Sequence, residues 1–397
     1  MSFGTPEYIY VTYGELVVQD MVELLLDSPF PNKAPIDTDT PWKLGIDHDY
    51  ISMLKESFRF DIEWSWEELE RKIVKFSNYM VHYEHEGDVL DLHYVHIKSR
   101  RGDGIPLILL HGWPGTFFDF YKVIEPLIDP PLPDLPSFDV VVPSLPGYFR
   151  STLPRRDGWN LVDIARLFNG LMASVLGMFP DSCSLMHFNM FYVESPGFAV
   201  MPQSSDSQKK QAEDGESKFG YFAIQATKPF TIGLAIASSP LAMLTYIGEK
   251  IYGWSDPRLL DPGDHIMDTV TVALYYLSDC FATSVVMYNQ NITLIRELGL
   301  PASEGHFLLK NKFGYSIFPY EIGRAPKEDI GSIWTTCVHQ RSEIQTQITH
   351  KQALQTLTEL IYGLLEHQRG GHFPAVDNPE AFVCDLRDFF GEHWSRA

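Results

Sequence analysis

The spacing of apolar residues separates stretches that read as strands from stretches that read as helices. "VLDLHYVHIK" (89–98) alternates apolar and polar positions, the period of a half-buried strand. "PLILLHG" (106–112) and "FDVVVPS" (138–144) are continuous apolar runs, as strands covered on both faces require. "LVDIARLFNGLMASVLG" then repeats at three and four residues, setting Leu161, Ile164, Phe168, Leu171, Met172 and Val175 on one helical face, and "SLMHFNMFYV" (184–193) is strand-like again. Strand, helix, strand in that order predicts an α/β chain with a mostly parallel sheet and crossover helices.

Around this core the style changes. The first 90 residues carry scattered aromatics, Pro and Asp, with a helical repeat over 60–80 through Trp66, Leu69, Ile73 and Phe76. They hold more apolar residues than a short meander can bury, which predicts a leader wrapped on something else. From 195 to 300 a polar run, "SSDSQKKQAEDGES" (204–217), gives way to long apolar helical stretches, the character of a lid. "NPEAFVCDLRDFF" (378–390) predicts a closing helix with Asn378 as N-cap, Pro379 at the first position, and Phe382, Leu386 and Phe389 facing inward. The predicted organisation is a meander (1–90), a first core part (91–194), a helical cap (195–300) and a second core part (301–397).

The formal charge of −21 excludes a nucleic-acid or anionic-membrane partner, since both need a basic surface. Cys183, Cys280, Cys337 and Cys384 are far apart, with no CxxC or metal-type spacing, and read as reduced thiols of an intracellular protein. The first 20 residues lack the pattern of a signal peptide, and no apolar run is long enough to span a membrane. The expectation is a soluble, cytoplasmic protein.

Three stretches carry candidate chemistry. In "HGWPG" (111–115) two glycines let backbone approach a ligand beyond the strand end, where the Trp113 N–H could stabilise an oxyanion; a plain strand-to-helix turn fits the spacing equally. His372, exposed on the Gly-rich "GGHF" loop, is placed as a general base, although a lone His is often structural. Glu321 in "FPYE" could orient it, or could be a surface residue. Tyr221 and Tyr288 fall in the cap-like region, two of 19 tyrosines that spacing alone does not single out.

Taken in order, "FDIEWSWEELERKIVKF", "PLILLHGWPGTFFDFYKVIEPL", "FDVVVPSLPGYFRS", "GYFAIQATKPFTIGLAIASSPLAMLTYIGEKIYGWSD" and "GGHFPAVDNPEAFVCDLRDFF" resemble the microsomal-type epoxide hydrolases of the α/β-hydrolase superfamily, with their fungal and insect relatives. The resemblance implies an α/β-hydrolase fold with helical cap and N-terminal meander. It implies attack by an Asp on an epoxide while two cap tyrosines hold the epoxide oxygen, then hydrolysis of the ester by a His–Glu pair to give a vicinal diol. Carried over by motif, the base is His372, its partner Glu321, the tyrosines Tyr221 and Tyr288, and the oxyanion-hole residue Trp113. It also implies no metal or organic cofactor, a small hydrophobic epoxide as substrate, a role in detoxification or secondary metabolism, and a homodimer.

The nucleophile is where the sequence departs from the family. Relatives carry a "GGDWG"-like elbow after the helix that here ends at Gly177; this chain passes directly through "VLGMFPDSC", and no Gly-x-(Asp/Ser/Cys)-x-Gly occurs anywhere. Asp181 sits in a loop before the next strand, and Asp103 precedes its strand at the wrong end of the sheet. The missing unit, a strand, turn and helix of about 15–20 residues, is normally central. Its loss is expected to exceed the roughly 5–15 kcal/mol that holds a domain together, which favours an incomplete gene model or skipped exon over an evolved design. Three readings follow: an epoxide hydrolase impaired in this form, a non-catalytic binding protein with a cap, or an acid–base isomerase or cyclase.

Overall fold

The computed structural model describes residues 1–36, 42–178, 185–190, 219–260, 266–298, 312–322 and 361–394. Asp181, Cys183, Cys337 and the polar run 204–217 lie outside them. Of the described cysteines, Cys280 is buried and Cys384 exposed, both free.

The leader is more regular than its sequence suggests. Two short strands, β1 (Ser2–Phe3) and β2 (Glu7–Ile9), precede α1 (Glu15–Asp27) and the long α2 (His48–Ile73). Asp47 caps α2 by accepting from the backbone N–H groups of Asp49 and Tyr50, and Arg71 and Lys72 sit in its last turn, where the helix dipole favours cations. The predicted helix over 60–80 overruns: after Ile73 the chain turns, and β3 (Asn78–His85) begins. Pairing overrides the helical repeat here, because β3 forms a full antiparallel ladder with β4 (Asp88–Ile97). Their two-residue turn, Glu86-Gly87, has positive φ at both positions, the geometry that matches strand twist.

β4 pairs antiparallel with β6 (Phe138–Pro143), and β6 pairs parallel with β5 (Ile105–Ile108), so the sheet is mixed. Strand order in this sheet is β1-β3-β4-β6-β5, with β2 also on β3. A second, wholly parallel sheet runs β7 (Leu185–Phe188), β8 (Lys312–Ile317), β9 (Ile361–Glu366). Among the described residues no ladder joins β5 to β7: the sheet is divided between them.

Between β6 and β7 runs α4 (Leu161–Gly170), capped by Asn160 and Asp163 and continued as one π turn over Leu171–Val175. Ile164, Phe168, Leu171 and Met172 are buried as predicted, but Leu161 is 41% exposed, because it opens the helix at the surface. The cap follows β7 as a helical stretch α5 (219–227), then α6 (Pro229–Ala237), α7 (Pro240–Trp254), α8 (Ile266–Leu277), α9 (Phe281–Ser284) and α10 (Val286–Leu298). The leader packs on this cap: Leu54 abuts Gly248, Trp42 stacks on Tyr252 at 4.3 Å, and Ser28 bonds Ser239 at 2.9 Å.

After β9 come a short turn, α11 (Pro374–Asp377), and α12 (Pro379–His393). Phe382, Leu386 and Phe389 of α12 are buried. Asn378 stands at the N-cap position but makes no capping bond; its amide donates instead to Arg369 O at 3.0 Å, tying the helix start to the loop before it. α12 spans both sheets, with Phe390 against Phe138 of the first and Phe389 against His187 of the second.

Candidate active site

The loop after β5 is fixed by His111. Its Nδ1 donates to Gly112 O at 3.0 Å and its Nε2 accepts from Leu145 N at 3.1 Å, linking the end of β5 to the loop after β6. Burial pushes its pKa down to about 4, so the acceptor nitrogen stays unprotonated. Gly115 leaves no room for a side chain, since a Cβ there would lie 2.0 Å from Asp119 Oδ2. Asp119 in turn accepts from Thr116 N at 3.0 Å, and Thr116 accepts from Phe118 N, a reciprocal cap that opens the helical turn Phe117–Phe120. These contacts hold Trp113 still beyond the strand end.

His372 follows two glycines for steric reasons. Gly370 has φ +107°, and a Cβ on Gly371 would lie 2.2 Å from Trp254 O at the end of α7. The loop is therefore pressed against the cap, and His372 N donates to that same carbonyl at 2.8 Å. Asp256 fastens the contact: its side chain has no exposure and accepts from Gly370 N at 2.9 Å while holding Arg258. Against the pull of burial, Arg258 and the Gly370 N–H hold its pKa down at about 2. Asp377 completes the clamp by accepting from Asp256 N at 3.0 Å.

His372 Nδ1 lies 2.7 Å from Oε1 of Glu321, which stands four residues beyond the end of β8. The sequence reading expects an exposed histidine; the structure buries it, its side chain 11% exposed and Glu321's not at all. Trp254 at 5.2 Å and Phe373 at 4.9 Å wall the ring. Burial alone lowers an imidazole pKa, but the charge and hydrogen bond of Glu321 more than offset it, so His372 stands above its ordinary value.

Tyr221 on α5 and Tyr288 on α10 meet over Trp113. Trp113 stacks on Tyr221 at 5.1 Å and meets Tyr288 edge-on at 6.2 Å; the two tyrosines are 5.8 Å apart. Trp254 touches both Tyr221, at 5.1 Å, and His372. His372, Glu321, Tyr221, Tyr288 and Trp113, scattered over 260 residues of sequence, thus share one aromatic-walled site. Burial, then Tyr221, drives the Tyr288 pKa well above its usual value, keeping the hydroxyl a donor.

Three residues here were not singled out by sequence: Trp254, Asp119 and Asp377. Burial pushes Asp119 and Asp377 each up to about 7, and both act electrostatically on His372. They line a cavity of about 40 Å³ with Gly115, Thr271 and Phe373. The motif "GWSD" held the only signal for Trp254; nothing local marks the two carboxylates. Asp103 lies at the opposite end of β5, where it accepts from Ser137 Oγ at 3.1 Å. Among the described residues no cluster of His, Cys, Asp or Glu could hold a metal ion, and no single helix is long and apolar enough to cross a membrane.

The family described as "Epoxide hydrolase N terminus" matches residues 7–120. The chain is 29% identical to a putative epoxide hydrolase of Stigmatella aurantiaca (strain DW4/3-1), over 97% of this chain and 84% of that protein. It is 26% identical to epoxide hydrolase 1 of Oryctolagus cuniculus, over 87% of this chain and 81% of that one. The fold is similar to that of the Aspergillus niger epoxide hydrolase structure, with TM-score 0.72, 24% identity, and coverage of 98% and 97%. Match, relatives and fold agree: residues 7–120 match the epoxide hydrolase N-terminal family, and the chain as a whole is similar in sequence and in fold to epoxide hydrolases.

Proposed function

We propose that this chain is built to bind a hydrophobic epoxide beneath its cap, and that it is impaired in hydrolysing it because its sequence carries no nucleophile-elbow motif. The observation that carries the reading is the Glu321–His372 pair, 2.7 Å apart and buried beside the Trp113–Tyr221–Tyr288 cage. The division of the sheet between β5 and β7 supports the second half, since the strand carrying a nucleophile elbow would fill that place.

In the intact form, one aspartate oxygen attacks an epoxide carbon, the ring C–O bond breaks, and the epoxide oxygen takes the proton of Tyr221 or Tyr288. His372, oriented by Glu321, then removes a proton from water. The hydroxide adds to the ester carbonyl, whose oxygen the Trp113 N–H stabilises. The acyl–oxygen bond breaks, the diol leaves protonated, and the remaining proton restores the tyrosine. One water is consumed. A homodimer through leader and cap belongs to this reading, supported by the exposed Leu16, Val17, Phe230 and Leu234.

The experiment compares the chain as it stands with one carrying a family strand–turn–helix unit inserted between Gly177 and Asp181. Each is incubated with styrene oxide in ¹⁸O-labelled water. The expected result is binding without diol formation for the first, and diol with label entering the aspartate for the second. Diol formation by the chain as it stands, abolished by His372→Ala, would overturn the impaired reading. Isomerised product without added water would turn it toward acid–base chemistry.

A further inference from the structure

Arg258 lies on the turn that follows α7, with its side chain 48% exposed. Its guanidinium grips Asp256 at both oxygens, Nε donating to Oδ1 at 2.8 Å and Nη2 to Oδ2 at 2.6 Å, and its backbone N–H donates to Oδ1 at 3.0 Å. Nη2 also donates to Gln368 O at 2.9 Å, at the start of the Gly-rich loop that carries His372. The guanidinium carbon stands 5.6 Å from the centroid of the Tyr320 ring, within range of a cation–π contact. Tyr320 is the residue before Glu321, and its N–H donates to Gly370 O at 3.1 Å.

Three segments thus meet at one guanidinium: the end of the cap helix α7 through Asp256, the base loop through Gln368 O, and the acid segment through Tyr320. A planar fork with fixed donor directions restrains several groups at once, which an ammonium on a flexible stem does not. Restraint matters here because Glu321 and His372 are 51 residues apart in sequence, and their 2.7 Å contact needs both segments in register. The charges that act most on the His372 ring are those of Glu321, Asp119 and Asp377, so Arg258 does not act on it chiefly by its field.

We propose that Arg258 is a positioning residue for the Glu321–His372 pair, reaching from the end of the cap helix to fix the two segments that carry acid and base. The pair's task as acid and base rests on the reading above. Its geometry is independent of that reading. A displacement of the α7 end is therefore passed to the base loop through Gln368 and Gly370.

The test is the NMR titration of the His372 ring in the full chain, in wild type, Arg258→Lys and Arg258→Ala. The sign of the shift separates position from charge. Removing a positive charge, and leaving Asp256 without its partner, favours the imidazolium and moves the titration upward. Losing register with Glu321 leaves burial less opposed and moves it downward. The expected result is a downward shift in both variants, since lysine keeps the charge but not the fork. Solvent exchange of the His372 N–H should quicken roughly tenfold, as loss of a charge-assisted hydrogen bond frees the loop. Millimolar guanidinium chloride, but not sodium chloride at equal ionic strength, should return the Arg258→Ala titration toward wild type. An upward shift or an unmoved titration overturns the assignment, whatever the Tm does. Styrene oxide binding to wild type is measured alongside. Absence of binding with a downward shift overturns the epoxide reading and leaves Arg258 in its role; binding with an unmoved titration does the reverse.

Discussion

Glu321→Gln isolates what the buried carboxylate does for His372. The two side chains are 2.7 Å apart, His372 is 11% exposed and Glu321 fully enclosed, so solvent screens the pair little. At an effective dielectric near 20, unit charges about 4 Å apart attract by roughly 4 kcal/mol. Gln keeps the shape and one acceptor oxygen but loses the charge, leaving burial to act on the imidazolium unopposed. Removing one partner of a buried pair costs roughly 3–5 kcal/mol; with the near-isosteric Gln and a histidine free to deprotonate, a loss of about 3 kcal/mol is expected at about pH 6. The sign of the pH dependence follows from the raised pKa of His372, whose ordinary value is 6.5. The pair's contribution is complete below the unfolded value and fades as pH rises through the folded one. The difference between wild type and Glu321→Gln, measured by urea unfolding, should therefore be largest near about pH 6 and shrink toward about pH 9. The titration of the His372 ring proton by NMR should move downward in the variant. A difference independent of pH, or an unchanged His372 titration, would refute the argument that Glu321 acts by charge.

Gly371→Ala should cost more than about 2 kcal/mol in urea unfolding, because its Cβ would meet Trp254 O at 2.2 Å and push the His372 loop off the cap. Gly253→Ala, on an exposed position of α7 with nothing within 4 Å, should gain about 0.5–1 kcal/mol in the same assay. Asp256→Ala leaves the buried Gly370 N–H without its acceptor and takes a carboxylate partner from Arg258, so unfolding free energy should fall by about 1–3 kcal/mol, set by the unsatisfied N–H. Since the Asp256 pKa is depressed, its contribution is present above the unfolded carboxylate value and is lost as pH falls toward about 2, which acid unfolding of wild type against variant will show. Thr116→Ala should lower stability by about 1 kcal/mol through loss of the cap that accepts from Phe118 N.

The sequence by itself determined the elements whose periods are fixed by local physics. The apolar runs at 106–112 and 138–144 form the paired strands β5 and β6, although β5 closes at Ile108. The repeat through Ile164, Phe168, Leu171 and Met172 faces the core, and Pro379 opens α12. It also marked "HGWPG", "GYFAIQ" and "GGHF", because glycines and motif residues are readable one stretch at a time. What it misjudged, it misjudged for want of partners. The repeat over 60–80 is cut short because β4 offers β3 a ladder, and Asn378 gives up capping because Arg369 O lies within reach.

Only the tertiary structure decided how distant residues meet. That His372 is buried rather than exposed follows from α7, whose Trp254 carbonyl grips the loop from 118 residues away in sequence. Burial in turn sets the protonation of Asp119, Asp377 and His111, which depends on the dielectric around each group and not on its neighbours along the chain. The division between β5 and β7 among the described residues is likewise a tertiary fact: the absent motif can be read from the sequence, but which strand edges pair is decided only in the fold. Local periodicity specifies elements because each residue answers to its own helix or strand. Chemistry here depends on contacts across the fold, which the linear order of residues does not contain.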